Sequence, residues 1–114
     1  MPKPRYKRVN FDECTHVAVK VVDEDRGVIQ HEHEDSLGDL KSWGYETWGE
    51  VYNNYQREYG RCTSPILNEI GGEKIQVGWY FSRIETYDDT HKNFTRGAWV
   101  TLVKRIPEKW EYPV

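Results

Sequence analysis

Several features that would narrow the class of this protein are scarce in its sequence. The 114 residues include only two cysteines, Cys14 and Cys62, and one pair is too few for the disulfide framework of a small secreted domain. No apolar run approaches the roughly 18–20 residues that span a bilayer. The basic N-terminus is not followed by an apolar stretch, so we do not expect it to be a signal peptide. We therefore expect a soluble, cytoplasmic protein with two free thiols.

An excess of positive charge is also missing. The chain has 16 basic and 19 acidic residues and a net charge of −3, whereas proteins that chiefly bind the nucleic-acid backbone are basic. The one basic cluster is the segment MPKPRYKR at the start of the chain, and we expect residues 1–12 to form a flexible N-terminal arm. Nucleic acid is therefore not expected as the main partner, and neither is a membrane.

Local signatures of catalysis are lacking as well. The sequence contains no GxSxG motif, no P-loop and no Rossmann fingerprint, and its GGEK segment does not have the spacing that cradles a phosphate. Neither cysteine stands in a signature with a nearby base. The sequence thus favours a protein that is not an enzyme and needs no cofactor.

Aromatic residues are what the chain has in quantity. They make up 14% of the sequence, while all hydrophobic residues together reach 37%, below the usual figure of about 45–50%. We therefore expect one domain, residues 1–114, whose core is built from a few large rings, with further rings at the surface.

Two predicted hairpins flank a predicted helix. The strands, recognised from alternating apolar positions, are residues 15–22 and 27–34 with a turn at 23–27, then 75–87 and 98–106 with a turn at 88–97. Residues 62–74 are marked as a connector by Pro65 and by Gly71-Gly72. Residues 107–114 form a tail that we expect to dock on the sheet through Trp110 or Tyr112.

Apolar side chains recur at three- and four-residue steps from Leu37 to Tyr59, a pattern typical of an amphipathic helix. Gly44 lies inside this stretch, so we expect either a kinked helix or a short helix followed by a longer one from about Glu46. The predicted fold is α+β, a mostly antiparallel four-stranded sheet of order β-β-α-β-β with the helix packed on one face. The other face needs the tail, a second copy or a partner to cover it.

The segment HEHEDS carries the sharpest chemical question. His31 and His33 point to the same side of a strand, as the ligands of a divalent metal would. A zinc site needs three or four ligands, and His16 and His91 contribute only if the fold brings them close. The alternative is a solvated strand end that runs into a helix cap.

The register of the first hairpin decides the face on which these histidines lie. A tight turn that pairs Val22 with Val28 places Val19 opposite His31. Both histidines would then lie on the face of the buried valines, at the core or its rim, and a slip of one residue would move them to the other face.

Aromatic and arginine side chains are the remaining candidates. Trp79 and Tyr80 point to opposite faces of one strand, so at least one of them lies away from the helix. An aromatic ring beside an arginine is a common anchor for ligands and partners. The predicted binding residues are Tyr45, Arg57, Tyr59, Trp79, Tyr80 and Arg83.

The leading hypothesis is a non-enzymatic interaction module that binds a protein partner, or a second copy as a homodimer, through its aromatic surface. A compact chain rich in Tyr and Trp without an enzyme signature resembles, in general style, the small accessory proteins of bacteriophages and other mobile elements. That resemblance implies a host defence or replication factor as the partner. The alternative is a small-ligand or nucleotide binder in which rings stack a base and Arg57, Arg83 or Arg96 meets phosphates. The third hypothesis is a metal-dependent enzyme that uses His31 and His33.

Overall fold

The computed structural model describes residues 6–87, 91–106 and 109–114. The strands are β1 (Lys7–Arg8), β2 (His16–Asp23), β3 (Val28–Ser36), β4 (Arg61–Ile70), β5 (Glu73–Thr86), β6 (Asn93–Ile106) and β7 (Lys109–Glu111). The helices are α1 (Leu37–Ser42) and α2 (Trp48–Tyr59), and a single 3-10 turn spans Phe11–Glu13. Within these described ranges, neither α1 nor α2 is long and apolar enough to cross a membrane.

The five long strands form one sheet in the order β4-β5-β6-β2-β3. Each neighbouring pair in this order is antiparallel. The short strand β1 adds a parallel pairing to β5, and β7 adds an antiparallel pairing to β6. The protein is therefore a sheet-rich α+β domain with a mixed sheet.

The four-stranded prediction is wrong, because the sheet has seven strands among the described residues and most of the predicted connector is strand β4. Proline lacks a backbone donor, so it favours a connector unless the strand lies at a sheet edge. Pro65 lies in an edge strand, since β4 pairs with β5 alone among the described strands. Two register shifts, between Cys62 and Ser64 and between Ile66 and Leu67, also interrupt the alternation by which strands are recognised.

The glycine pair in the same segment is a hairpin turn. Ile70 pairs with Glu73 across it, and Gly71 and Gly72 have φ of 60° and 83°. Two successive residues with positive φ form the two-residue turn that suits the twist of a hairpin. The loop of the next hairpin is shorter than predicted, since β6 begins at Asn93. Residues 88–90 of that loop lie outside the described part of the chain.

The helical stretch is divided in two, which is the second of the two expected arrangements. Helix α1 ends at Ser42, and Gly44 follows with φ of 98°. Helix α2 begins after Thr47, whose side chain accepts a hydrogen bond from the Glu50 amide while the Glu50 carboxylate accepts one from the Thr47 amide. This reciprocal capping box fixes the start of α2 two residues beyond the predicted position.

The helices cover one face of the sheet. Helix α2 packs on β5 and β6, and α1 packs on β2 and β3. Trp48 and Tyr52 of α2 meet the ring of Trp79 with centroid distances of 4.9 and 5.5 Å. The core that this packing closes consists of alternate residues of the central strands: Val17, Val19, Val21, Val77, Trp79, Phe81, Ala98, Val100 and Leu102.

The described residues nearest to each end of the chain lie against this framework. Of the segment predicted as a flexible arm, Lys7–Arg8 form β1 and Val9 is buried. The Val9 carbonyl accepts a hydrogen bond from the indole of Trp48, and the Asn10 amide donates to the carbonyl of Pro113. At the C-terminus, Tyr112 packs against the core. Residues 1–5 and 107–108 lie outside the described ranges.

We predict that Gly78→Ala destabilises the fold by roughly 3 kcal/mol or more, the upper end of overpacking effects. A Cβ at this position would lie 1.8 Å from the carbonyl oxygen of Val100 and 2.8 Å from Cα of Thr101. These are backbone atoms of the paired strand, so relief requires β5 and β6 to separate. Urea denaturation measures the change.

Gly49→Ala is the matched control. It lies in the first turn of α2, where the nearest atom to an added Cβ is Thr47 Oγ1 at 3.9 Å. This substitution should raise stability by up to about 1 kcal/mol. Equal stability of the two variants would contradict the close approach of β5 and β6 at Gly78.

Candidate functional site

The face of the sheet opposite the helices has a row of small residues across its three central strands. The register aligns Gly78 of β5 with Thr101 of β6, and Thr101 with Ala18 of β2. The row ends at Ile66 on β4 and at Glu34 on β3. Because side chains of this size leave space above the sheet, the row forms a depression that runs across the strands.

Aromatic rings stand on both sides of this depression. Trp99, one row along, packs on Tyr80 with a centroid distance of 4.7 Å. On the other side, Trp110 of β7 makes an edge contact with His16 at 6.1 Å. The resulting cavity, of about 520 Å³, is lined by Ala18, Thr101, Ile66, Trp99 and Trp110 with charged groups around them. We call it the open-face trough.

Two cationic side chains at the rim of the open-face trough contact its aromatic rings. Lys20 Nζ lies 5.2 Å from the centroid of Trp99, and the Arg105 guanidinium lies 5.5 Å from that of Trp110. Arg105 also forms an ion pair with Glu34. The rings are thus held in place by cation–π contacts, and both signs of charge are present at the rim.

Tyr80 is fixed by its hydroxyl group. The hydroxyl donates a hydrogen bond to the carboxylate of Glu24, and the ring lies over Gly97, where a Cβ would come within 2.8 Å of it. Burial and the hydrogen bond to Glu24 raise the pKa of Tyr80 to about 12. Tyr80 therefore remains a neutral donor at neutral pH.

Exposed aliphatic side chains continue the same face. Ile84 follows Tyr80 and Ser82 at alternate positions of β5 and is 64% exposed. Ile29, which pairs with Val22, is 54% exposed. The face beyond the helices thus carries a concave apolar region and, further along the strands, protruding apolar side chains.

A second cavity, of about 350 Å³, lies on the helix-covered face at the C-terminal end of α2. Its lining is mostly polar and contains both histidines of HEHEDS. We call it the histidine cleft, and its lining side chains are His31, His33, Asp35, Asn54, Tyr55, Glu58, Tyr59, Arg83 and Arg96.

A β-bulge places the histidines in this cleft. Val21 pairs with His31 and Val22 with Ile29, so Gln30 is the extra residue of β3. The turn, which pairs Val22 with Ile29, shifts the predicted register by one residue, and the bulge shifts it by one more. The prediction is therefore wrong by two residues, since Val19 faces His33 and not His31. A shift of two residues preserves the face, so both histidines still lie on the side of the buried valines, at the rim of the core.

The histidines are arranged as a stacked pair. Their ring centroids are 5.2 Å apart with an interplanar angle of 18°, and His33 Nε2 lies 3.6 Å from Asp35. His16 is on the opposite face against Trp110, and His91 is in the β5–β6 loop. Among the described residues, no group of three or more His, Cys, Asp or Glu side chains could hold a metal ion. The metal site remains a prediction without a third ligand in that part of the chain.

The predicted binding residues fall into four places. Tyr59 and Arg83 come together in the histidine cleft, and Tyr45 meets Arg57 on the outer side of the helices, with 3.3 Å from Arg57 Nη2 to the Tyr45 hydroxyl. Tyr80 lies on the open face. Trp79 is 4% exposed, in the core beneath α2.

Trp99, Thr101 and Trp110 were not predicted as site residues. In AWVTLV, alternate residues point to opposite faces, so Trp99 and Thr101 lie on the face opposite the buried Ala98 and Val100. This alternation is the signal in the sequence that places them on the open face. Their proximity to Trp110 depends on how β7 returns to the sheet.

We predict that Tyr55→Phe destabilises the protein by roughly 1.5–3 kcal/mol, the usual range for a hydrogen bond to a charged group. The Tyr55 hydroxyl donates to Asp35 Oδ2 at 2.6 Å, between α2 and β3. Burial and this hydrogen bond raise the pKa of Tyr55, so the proton stays on the phenol.

Tyr45→Phe serves as the control for chemical denaturation, because its hydroxyl makes only a solvent-exposed contact with Arg57. We expect its effect to stay within about 0.5 kcal/mol. If the two substitutions have the same effect, the Tyr55–Asp35 bond does not hold α2 to β3.

Comparison with known proteins adds no assignment for either cavity. No family model matches the chain, and no curated protein and no solved structure is significantly similar to it. The function is therefore inferred from the geometry of the open face and of the histidine cleft.

Proposed function

We propose that the protein is a non-enzymatic interaction module that binds a second copy of itself through the open face of its sheet. The observation that carries the proposal is the coexistence, on the face that α1 and α2 leave open, of the open-face trough and the exposed side chain of Ile84. A sheet with apolar side chains on both faces is usually covered on both. Here the helices cover only one.

The spacing along β5 supports a two-fold arrangement. Ile84 lies six residues beyond Gly78, which is about 20 Å at the rise of a strand. Consider two copies whose open faces are stacked, related by a two-fold axis that lies between the sheets and runs perpendicular to the strands. If this axis passes midway between Gly78 and Ile84, Ile84 of each copy lies over the trough of the other. An isologous contact needs a protrusion and a recess on the same surface. The open face has both.

The chemistry of the face also suits a second copy. Trp99 and Tyr80 would lie near the axis, and large rings at the centre of an interface contribute most of its binding energy. The rim carries Lys20 and Arg105 together with Glu32 and Glu34, so two identical faces would not repel each other strongly. Sheets that stack face to face stand about 10 Å apart, close enough for these side chains to interdigitate.

We expect the wild-type protein to sediment as a dimer and Ile84→Lys to shift the equilibrium to the monomer. Ile84 is exposed in the single chain, so the substitution should leave the fold intact. It would bury an unpaired ammonium group in the dimer and should weaken association at least about tenfold. Analytical ultracentrifugation over a range of concentrations measures the dissociation constant.

Trp43→Lys is the matched control. Trp43 is 65% exposed but lies at the end of α1, away from the open face, so its loss should not change association. If the wild type stays monomeric at high concentration, the open face does not bind a second copy, and its partner would be a different protein. Equal effects of the two substitutions would show that any dimer uses another surface.

A further inference from the structure

The histidine cleft lies on the helix-covered face, opposite the proposed dimer interface, and His33 of the edge strand β3 borders both cavities. At its base, Arg83 of β5 and Arg96 of β6 are directly opposite each other in the antiparallel register. Like charges in this position destabilise a sheet. The pairing therefore requires a compensating negative charge.

The compensation from the described residues is incomplete. Asp23 of β2, directly opposite Arg96 in the β2–β6 register, forms an ion pair with Arg26 and accepts hydrogen bonds from the amides of Asp25 and Arg26. Glu85 forms an ion pair with Arg83 and lies 3.7 Å from Arg96 Nη1, so one carboxylate serves two guanidiniums. Asp35, the carboxylate of β3 in the lining, accepts a hydrogen bond from Tyr55 and contacts His33. Glu58 is the remaining carboxylate in the lining, and it is exposed on α2.

Neutral and titratable donors surround the two arginines. The bulge turns Gln30 toward Arg96. Arg96 Nε donates a hydrogen bond to the Gln30 amide oxygen at 3.1 Å. Bulges are frequent beside functional sites, where they redirect a side chain. Asn54 and Tyr59 come from α2. Burial raises the pKa of Tyr59 to about 12, while the Arg96 charge acts in the opposite direction. Tyr59 is therefore a neutral donor next to a cation.

We propose that the histidine cleft binds a tetrahedral oxyanion of the phosphate class, held by the guanidiniums of Arg83 and Arg96 with His31 and Asn54 as further donors. Arginine binds such anions through paired N–H groups, with charge-assisted hydrogen bonds. A cavity of about 350 Å³ is at the small end of ligand sites, so the anion is either free phosphate or the phosphate group of a small monoester. The bound anion adds a negative charge at a place where three arginines, Arg26, Arg83 and Arg96, share the carboxylates of Asp23 and Glu85.

Isothermal titration calorimetry at constant ionic strength tests the proposal with inorganic phosphate as the probe. We expect saturable binding to the wild type and at least about tenfold weaker binding to the double variant Arg83→Gln/Arg96→Gln, the loss expected for hydrogen bonds to charged groups. Arg61→Gln is the matched control, because Arg61 is an exposed arginine that pairs with Ser82 and does not line the cleft. It should bind phosphate like the wild type.

Adenosine monophosphate and adenosine distinguish the two sources of the anion. Tighter binding of the monophosphate than of phosphate, with none of adenosine, supports a phosphate monoester. Equal binding of phosphate and the monophosphate supports the free anion. Absence of saturable phosphate binding, or equal binding by the wild type and the double variant, would overturn the proposal.

A measurement on the wild type keeps the test valid if the double variant does not fold. Phosphate should shift the side-chain Nε resonances of Arg83 and Arg96 in nuclear magnetic resonance spectra and leave that of Arg61 in place. Uniform shifts across all arginines would mean non-specific screening and would count against the site.

Discussion

The packing of Trp48 and Tyr52 on the ring of Trp79 decides which face of the sheet is closed. Side chains alternate along a strand, so Tyr80 must point away once Trp79 is fixed beneath α2. Paired residues of adjacent antiparallel strands point to the same face. On β6, Val100 is therefore buried opposite Trp79, and Trp99 lies on the open face opposite Tyr80. The open-face trough is a consequence of this contact, combined with small residues in the row that includes Thr101.

Alternation and helical periodicity were sufficient to predict much of this framework. Val17, Val19 and Val21 of THVAVKVV fall on the buried face, and the amphipathic stretch does divide near Gly44. Strand β4 could not be predicted in the same way, because its two register shifts disrupt alternation and its proline resembles a loop signal. The glycine pair predicted as part of a connector instead turns the chain from β4 into β5, a distinction that depends on φ values and not on composition.

The sites were less predictable, because both depend on register. Arg83 was predicted from its own strand, but its position opposite Arg96 requires the pairing of β5 with β6. The face of the histidines was predicted although their partners were not, since the turn and the bulge at Gln30 each shift the pairing by one residue and the total shift is even. Trp110 enters the trough through a three-residue strand whose pairing leaves little trace in the sequence.

The two faces support two separate proposals, self-association through the open face and oxyanion binding in the histidine cleft. Oxidative cross-linking of Ile84→Cys combined with Thr101→Cys, in a Cys62→Ser background, tests the central claim most directly. Within one chain these positions are about 20 Å apart along the strands, far beyond the reach of a disulfide, so a bond between them can form only between copies. We expect a covalent dimer linked from position 84 of one copy to position 101 of the other. Failure to cross-link under mild oxidation, or linkage only between two copies of position 84, would contradict the proposed two-fold contact.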